Sequence, residues 1–253
     1  MITSPRSVVL AAFVAVGLLL PSGLLAQEFS RDQRQELGEI IREYLIDNPE
    51  VLREAFQALE RKAQEEEAAA ATAAITERAA EIFRSEGDFV AGNPEGSVTM
   101  VEFFDYNCGF CKRAMSDVLA LLESDRDLRV VLKEWPILSE GSKFAARAAV
   151  ASRRQGKYWE LHLALMETRR VDEESTLEAA RRIGLDVDRL KADMEHPEVA
   201  GVIDRNKRLA EALGIQGTPA FLIDNQLIAG AVGHDALAQA IAQIRADGGC
   251  SLC

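Results

Sequence analysis

Hydrophobic spacing changes twice along this chain. Leu37, Ile40, Ile41, Tyr44 and Leu45 form the i, i+3, i+4, i+7, i+8 stripe of an amphipathic helix, with charges on its other face. Asn48-Pro49-Glu50 then starts a second helix: Asn48 can cap, Pro49 suits the first helical position and Glu50 suits its positive end. The first turns of that helix carry Val51, Leu52, Ala55, Phe56 and Leu59. No Gly or Pro interrupts the pattern before Ser85, which predicts one continuous helix to that point. Its middle, Arg61 to Ala74, is charge and alanine, a solvated spacer, and within it Glu65 to Ala74 lacks the apolar heptads of a coiled coil.

Beyond Gly87 the period shortens. Phe89-Val90 opens a second region, and Gly92-Asn93-Pro94-Glu95-Gly96 is a turn cluster. It leads into Val98 to Phe104, a β-branched and aromatic run short enough to be a buried strand. Met115, Val118, Leu119 and Leu122 follow at helical spacing, and Leu128 to Trp135 reads as a second strand. This strand-helix-strand unit should have parallel strands. From Gly141 to Leu213 the pattern is helical, with segments at Lys143 to Gln155, Tyr158 to Glu167, Ser175 to Ile183, Val187 to Met194 and Pro197 to Leu213. Tyr158, Trp159, Leu161 and Leu165 should pack the core of this block, and His162 reads as a core or surface histidine rather than a catalyst. Ala220 to Ile223, a turn at Asp224-Asn225 and Leu227 to Ala229 then form a hairpin, and a last amphipathic helix runs from His234 to Arg245.

A chain of 253 residues can hold one sizeable domain plus an appendage. Its net charge of −12 argues against nucleic acid as a partner and offers no basic face to anionic lipid. Arg6, the apolar stretch Val8 to Leu20 and Leu24-Leu25-Ala26 read as an export signal over residues 1–26, cleaved after Ala26; an uncleaved anchor is the alternative. The remaining boundaries are 27–86 for the helical arm and stalk, 87–247 for the main domain with its helical insertion at about 140–213, and 248–253 for the tail. Residues 28 to 60 have no core of their own, so their stripes must bury on the main domain or on copies of themselves. The long spacer favours copies, hence a homo-oligomer.

The chemistry gathers at Cys108, on the corner between strand and helix. A thiol there faces N–H groups without intrahelical partners, and the helix dipole favours its thiolate, so Cys108 should be an acidic, exposed nucleophile. Cys111 lies one turn along the same face, close enough to close a small ring with it and resolve a mixed disulfide. Half a zinc site and two ordinary core cysteines are the competing readings. A zinc site needs two more ligands, and His162, His196 and His234 show no ligand spacing with each other or with this pair. No metal or other cofactor is assigned. Cys250 and Cys253 follow Gly248-Gly249 and read as a mobile tail whose pair is oxidised or incidental, with electron relay or binding of a soft metal as the alternative.

From Phe89 onward the elements resemble a thioredoxin fold with a helical insertion, as in the periplasmic Dsb-type thiol–disulfide oxidoreductases. Val101-Glu102-Phe103-Phe104-Asp105-Tyr106-Asn107-Cys108-Gly109-Phe110-Cys111 looks like that family's active-site strand and helix, and Gly217-Thr218-Pro219-Ala220 like its cis-proline loop. The N-terminal segment with Tyr44 to Glu50 is similar to the suppressor-of-copper-sensitivity C (ScsC) proteins and related disulfide isomerases. The fold class implied is α/β, thioredoxin-like, behind an N-terminal helical oligomerisation arm. The resemblance implies that Cys108 attacks, Cys111 resolves and Pro219 is cis, while the backbone at Thr218 pairs with substrate. Glu102 would be the buried carboxylate that shuttles the Cys111 proton; its alternative is a solvent-facing position at a strand edge.

The function implied is a periplasmic disulfide isomerase or reductase acting on exported proteins with cysteines, kept reduced by a membrane thiol–disulfide partner. A monomeric dithiol oxidase and a copper-binding or chaperone module are the alternatives. Gly109-Phe110 stands where the strongly oxidising members have proline and histidine. That suggests a pair nearer ~−200 mV than the ~−120 mV of DsbA.

Overall fold

The computed structural model describes residues 30–253; the expected export signal at residues 1–26 lies outside the described residues. The described residues divide into two units between Glu60 and Arg61.

In the first unit, Ser30 and Gln33 form a reciprocal cap at the start of α1 (Arg31–Asp47). The side chain of Asn48 donates back to the Tyr44 carbonyl at 2.8 Å, and α2 (Pro49–Glu77) begins at the next residue. No residue of α1 is buried. Leu37, Ile40, Ile41, Tyr44, Phe56 and Leu59 are all exposed. Their regular spacing makes a helix whose apolar stripe is exposed among the described residues.

The second unit is built on a five-stranded sheet of order β1-β3-β2-β4-β5. The strands are β1 (Phe89–Gly92), β2 (Val98–Phe104), β3 (Leu128–Glu134), β4 (Ala220–Ile223) and β5 (Gln226–Ala229). β2 and β3 run parallel around the crossover helix α4 (Gly109–Ser124), while β1 pairs antiparallel with β3 and β4 with both β2 and β5. The alternation of β2 sorts its side chains. Val98, Met100 and Phe104 face one core with α4 and α10 (His234–Ala246), and Val101 and Phe103 face the other with Trp135 and Leu209. Helices α5 (Glu140–Ser152), α6 (Tyr158–Glu167), α7 (Glu173–Arg182), α8 (Val187–Met194) and α9 (Pro197–Ala212) lie between β3 and β4 in sequence. This is the thioredoxin-like arrangement with a helical insertion.

Several expectations need correction. The helix from Pro49 does not continue to Ser85: it stops at Glu77, and a short α3 (Ala79–Phe83) follows. Ile75, Ile82 and Phe83 are buried against Val101, Phe103 and Val131, so apolar packing on the sheet breaks the helix where the sequence has no Gly or Pro. β1 was not foreseen as a strand. The C-terminal tail does not stand clear of the domain either. It is tied to Asp224 and Arg84 and packs Leu252 and Cys253 on the second core, because groups distant in sequence meet it that the local sequence does not reveal.

Candidate functional site

The end of β2 turns sharply before α4, and Asp105 makes the turn. Its Oδ1 accepts from Asn107 N–H at 2.7 Å and from Ser142 Oγ at 2.7 Å. Its Oδ2 accepts from the N–H groups of Ile137 and Leu138 at 2.8 and 2.9 Å. Asn107 extends the clamp: its amide donates to the Val171 carbonyl at 2.9 Å and accepts from Val171 N–H at 2.8 Å. The residue before Cys108 is therefore fixed to the helical insertion on both its donor and its acceptor side.

Cys108 is the cap of α4, accepting from Cys111 N–H at 3.4 Å. Its thiol donates to the main-chain oxygen of Thr218 at 3.1 Å, and the Thr218–Pro219 peptide is cis. Sequence reasoning expected an exposed sulfur; Cys108 is only 6% exposed, because the loop at Thr218 closes over it. Neither Cys108 nor Cys111 is disulfide-bonded. Beside the cis peptide lies a largely apolar groove of about 360 Å³ lined by Phe110, Thr218, Pro219 and residues of β5 such as Leu227. Phe110 is 59% exposed, and the Arg113 guanidinium lies 4.2 Å over its ring.

Beneath the corner the environment changes. Glu102 shares the face of Met100 and Phe104 and sits between Leu132 on β3 and Phe221 on β4. It is 1% exposed and neither carboxylate oxygen has a hydrogen-bond partner, so burial raises its pKa to about 8. Burial also pushes the Cys111 thiol far above its ordinary value, and the Glu102 carboxylate adds to that shift. The two thiols thus differ in surroundings. One meets a loop carbonyl beside an open groove, and the other lies sealed over an acid that holds its proton close to neutrality. Such an acid can exchange a proton with a buried thiol in either direction near neutral pH.

A second buried cluster backs the site. Tyr106 and Tyr158 both donate to Glu134 Oε1 at 2.8 Å, and the Tyr106 hydroxyl lies 3.1 Å from His162 Nδ1. Burial raises Glu134 to about 8 and lowers His162 to about 3, so at neutral pH the histidine is uncharged and the acid largely protonated. His162 is a core residue stacked on Trp159. Sequence reasoning assigned no role to Asp105, Asn107, Tyr106 or Glu134; only their adjacency to Cys108, or a charge at the end of a strand, marked them.

Cys250 and Cys253 are bonded to each other. Among the described residues no group of three or more His, Cys, Asp or Glu side chains is placed to hold a metal, and no helix is long and apolar enough to cross a membrane.

The model of the DSBA-like thioredoxin domain matches residues 99–242, and that of the copper resistance protein ScsC N-terminal domain matches residues 33–66. A thioredoxin-like oxidoreductase from Silicibacter pomeroyi is 47% identical, with a TM-score of 0.65 over 66% of this chain and 97% of that one. ScsC of Proteus mirabilis, in a transitional conformation, is 27% identical, with a TM-score of 0.64 over 87% of this chain and 98% of that one. A Na(+)/H(+) antiporter NhaA 3 from Salinispora tropica is 31% identical over 171 residues, 64% of this chain; the chain spans only 26% of that protein.

Proposed function

The chain belongs to the DSBA-like thioredoxin family, and on that premise we propose that it is an exported protein disulfide isomerase or reductase of ScsC type. The observation that carries the reading is the contrast between Cys108, which meets the Thr218 carbonyl beside the groove, and Cys111, buried above Glu102.

In this reading a substrate disulfide enters along the Phe110–Pro219 groove and its backbone takes over the Thr218 carbonyl. The Cys108 sulfur attacks, forming a mixed disulfide and expelling one substrate thiol. Cys111 then gives its proton to Glu102 and attacks Cys108, releasing the second substrate thiol and leaving Cys108–Cys111 oxidised. Isomerisation follows when a substrate thiol attacks the mixed disulfide first. A membrane thiol–disulfide partner returns the pair to the reduced form.

The exposed stripes of α1 and early α2 support assembly of several copies through residues 28 to about 60, which would array active sites around one substrate. Export places the protein in the periplasm, where its substrates are exported proteins with cysteines. The test is reactivation of a scrambled, fully oxidised multi-disulfide substrate with mild reductant, beside a Cys108→Ala control. Recovery that the control loses supports the isomerase. Rapid oxidation of a reduced substrate without unscrambling points instead to a dithiol oxidase. Neither activity, with tight Cu(I) binding, points to a copper-binding module.

A further inference from the structure

The function proposed above uses Cys108 and Cys111 and leaves the C-terminal pair without a role. Cys250 and Cys253 are joined across a sequence separation of 3, and both are partly exposed, more so than the pair at the head of α4. So short a ring removes little freedom from the unfolded chain and adds little to global stability. Its effect is local. The ring brings the consecutive N–H groups of Ser251 and Leu252 onto one oxygen, Oδ1 of Asp224, at 2.8 and 2.9 Å, and Ser251 Oγ donates to the same atom at 3.0 Å. Paired main-chain N–H groups of this kind form an anion-binding nest.

Both anchors of the tail are structurally specific. Asp224 is buried in the turn between β4 and β5 and has φ of 51°, the left-handed region that a non-glycine residue seldom occupies. On the other side, Arg84 donates from Nη1 to the main-chain oxygen of Leu252 at 3.3 Å and to that of Cys253. Leu252 and Cys253 pack in the cluster that holds Ile82 and Phe83 of α3. The closed ring therefore joins the β4–β5 turn to the end of α3.

We propose that Cys250–Cys253 is a second thiol–disulfide site, whose oxidised form docks the tail on Asp224 and Arg84 and whose reduction releases it. A thiolate of a dithiol reductant attacks one tail sulfur, breaks the S–S bond and expels the other sulfur, which takes up a proton. The second thiol of the reductant then cleaves the mixed disulfide, leaving two tail thiols and an oxidised reductant. The Cys108 pair of the same docked chain cannot be that reductant. Cys253 Sγ lies 3.9 Å from the Thr99 oxygen near the start of β2, Cys108 follows its far end, and the five steps from Thr99 to Phe104 span ~16 Å. Without the ring, a segment led by Gly248 and Gly249 no longer holds its N–H groups toward one oxygen, and Asp224 turns to water. The redox state of the tail is then read at the end of α3 and at the hairpin turn, remote from the catalytic thiols.

The test uses the full chain carrying Cys108→Ser and Cys111→Ser, so that only the tail pair responds, with dithiothreitol as the reductant. The expected result is appearance of the two tail thiols while the domain stays folded, with amide exchange at residues 82–85 and 224–226 accelerating tenfold or more. A chain carrying Cys250→Ser and Cys253→Ser alone should exchange at the fast rate with or without reductant. Asp224→Asn, which keeps the ring and removes the charge, should give an intermediate rate. Resistance of the tail disulfide to dithiothreitol until the domain unfolds would overturn the proposal, as would exchange at both segments that reduction leaves unchanged.

Discussion

The thiol of Cys108 donates to the main-chain oxygen of Thr218, 3.1 Å away and 110 positions along the chain. In the function proposed, the same oxygen is the acceptor for an extended substrate in the groove, so the resting chain would occupy that docking atom with its own nucleophile. On that reading substrate binding would replace an S–H···O contact with an N–H···O bond and free the sulfur to attack in the same movement. A neutral thiol donor makes a weak hydrogen bond, and the exchange costs little.

Glu102 gives the account its pH dependence. Its folded pKa of about 8 lies above the ordinary 4.5, so the folded state holds a proton that the unfolded chain has lost between those values. Stability should therefore be fully present below about pH 4.5 and fall as pH rises through 8, by an amount on the order of a few kcal/mol. Glu102→Gln should flatten the contribution of this site, seen as a smaller drop in Tm between pH 5 and pH 8. It should also slow the step in which Cys111 resolves a mixed disulfide by ~10²-fold, with the initial attack by Cys108 little changed.

Asn107 holds the turn before Cys108 through both the N–H and the carbonyl of Val171. Asn107→Ala leaves those buried groups unpaired and should cost about 2–3 kcal/mol in denaturant unfolding. Alkylation of Cys108 in the folded variant should be faster than in the parent, because the turn that seats the sulfur against Thr218 is loosened.

The arm is expected to control assembly. Sedimentation equilibrium should give a mass above that of one chain, and Ile40→Glu with Phe56→Glu should return it to a monomer, since each introduces charge into an exposed apolar stripe. Reduction of a small disulfide per Cys108 should be unchanged in that variant, and unscrambling of a multi-disulfide protein should fall several-fold.

Phe110 bears on the redox poise. The parent should equilibrate with glutathione near ~−200 mV, and Phe110→His should move it toward ~−120 mV by supplying a donor and a positive charge beside the reduced sulfur. A parent already at the upper value would contradict this account of Gly109-Phe110.

Much of the fold was legible because its signals are local. The period change at Val98, the strand-to-helix corner at Cys108 and the hairpin around Asp224-Asn225 are each written within a dozen residues. What was not legible depends on partners far along the chain. Asn107 reads as an ordinary polar residue until Val171, 64 positions away, folds onto it. Gly248-Gly249 reads as a flexible lead because nothing nearby shows that Asp224 will accept from Ser251 and Leu252. Ile82 and Phe83 continue a helical pattern, and only the face of the sheet that receives them ends the helix. Cys108 looked open because the loop that covers it is more than a hundred residues downstream.

The central claim is the division of labour between the two thiols, and trapping the mixed disulfide tests it most directly. The Cys111→Ala chain, incubated with a scrambled multi-disulfide protein and quenched in acid, should accumulate a covalent complex whose linking peptide contains Cys108, while Cys108→Ala accumulates none. A complex linked through Cys111 in the Cys108→Ala chain, or the absence of any complex through Cys108 in the Cys111→Ala chain, would contradict the account.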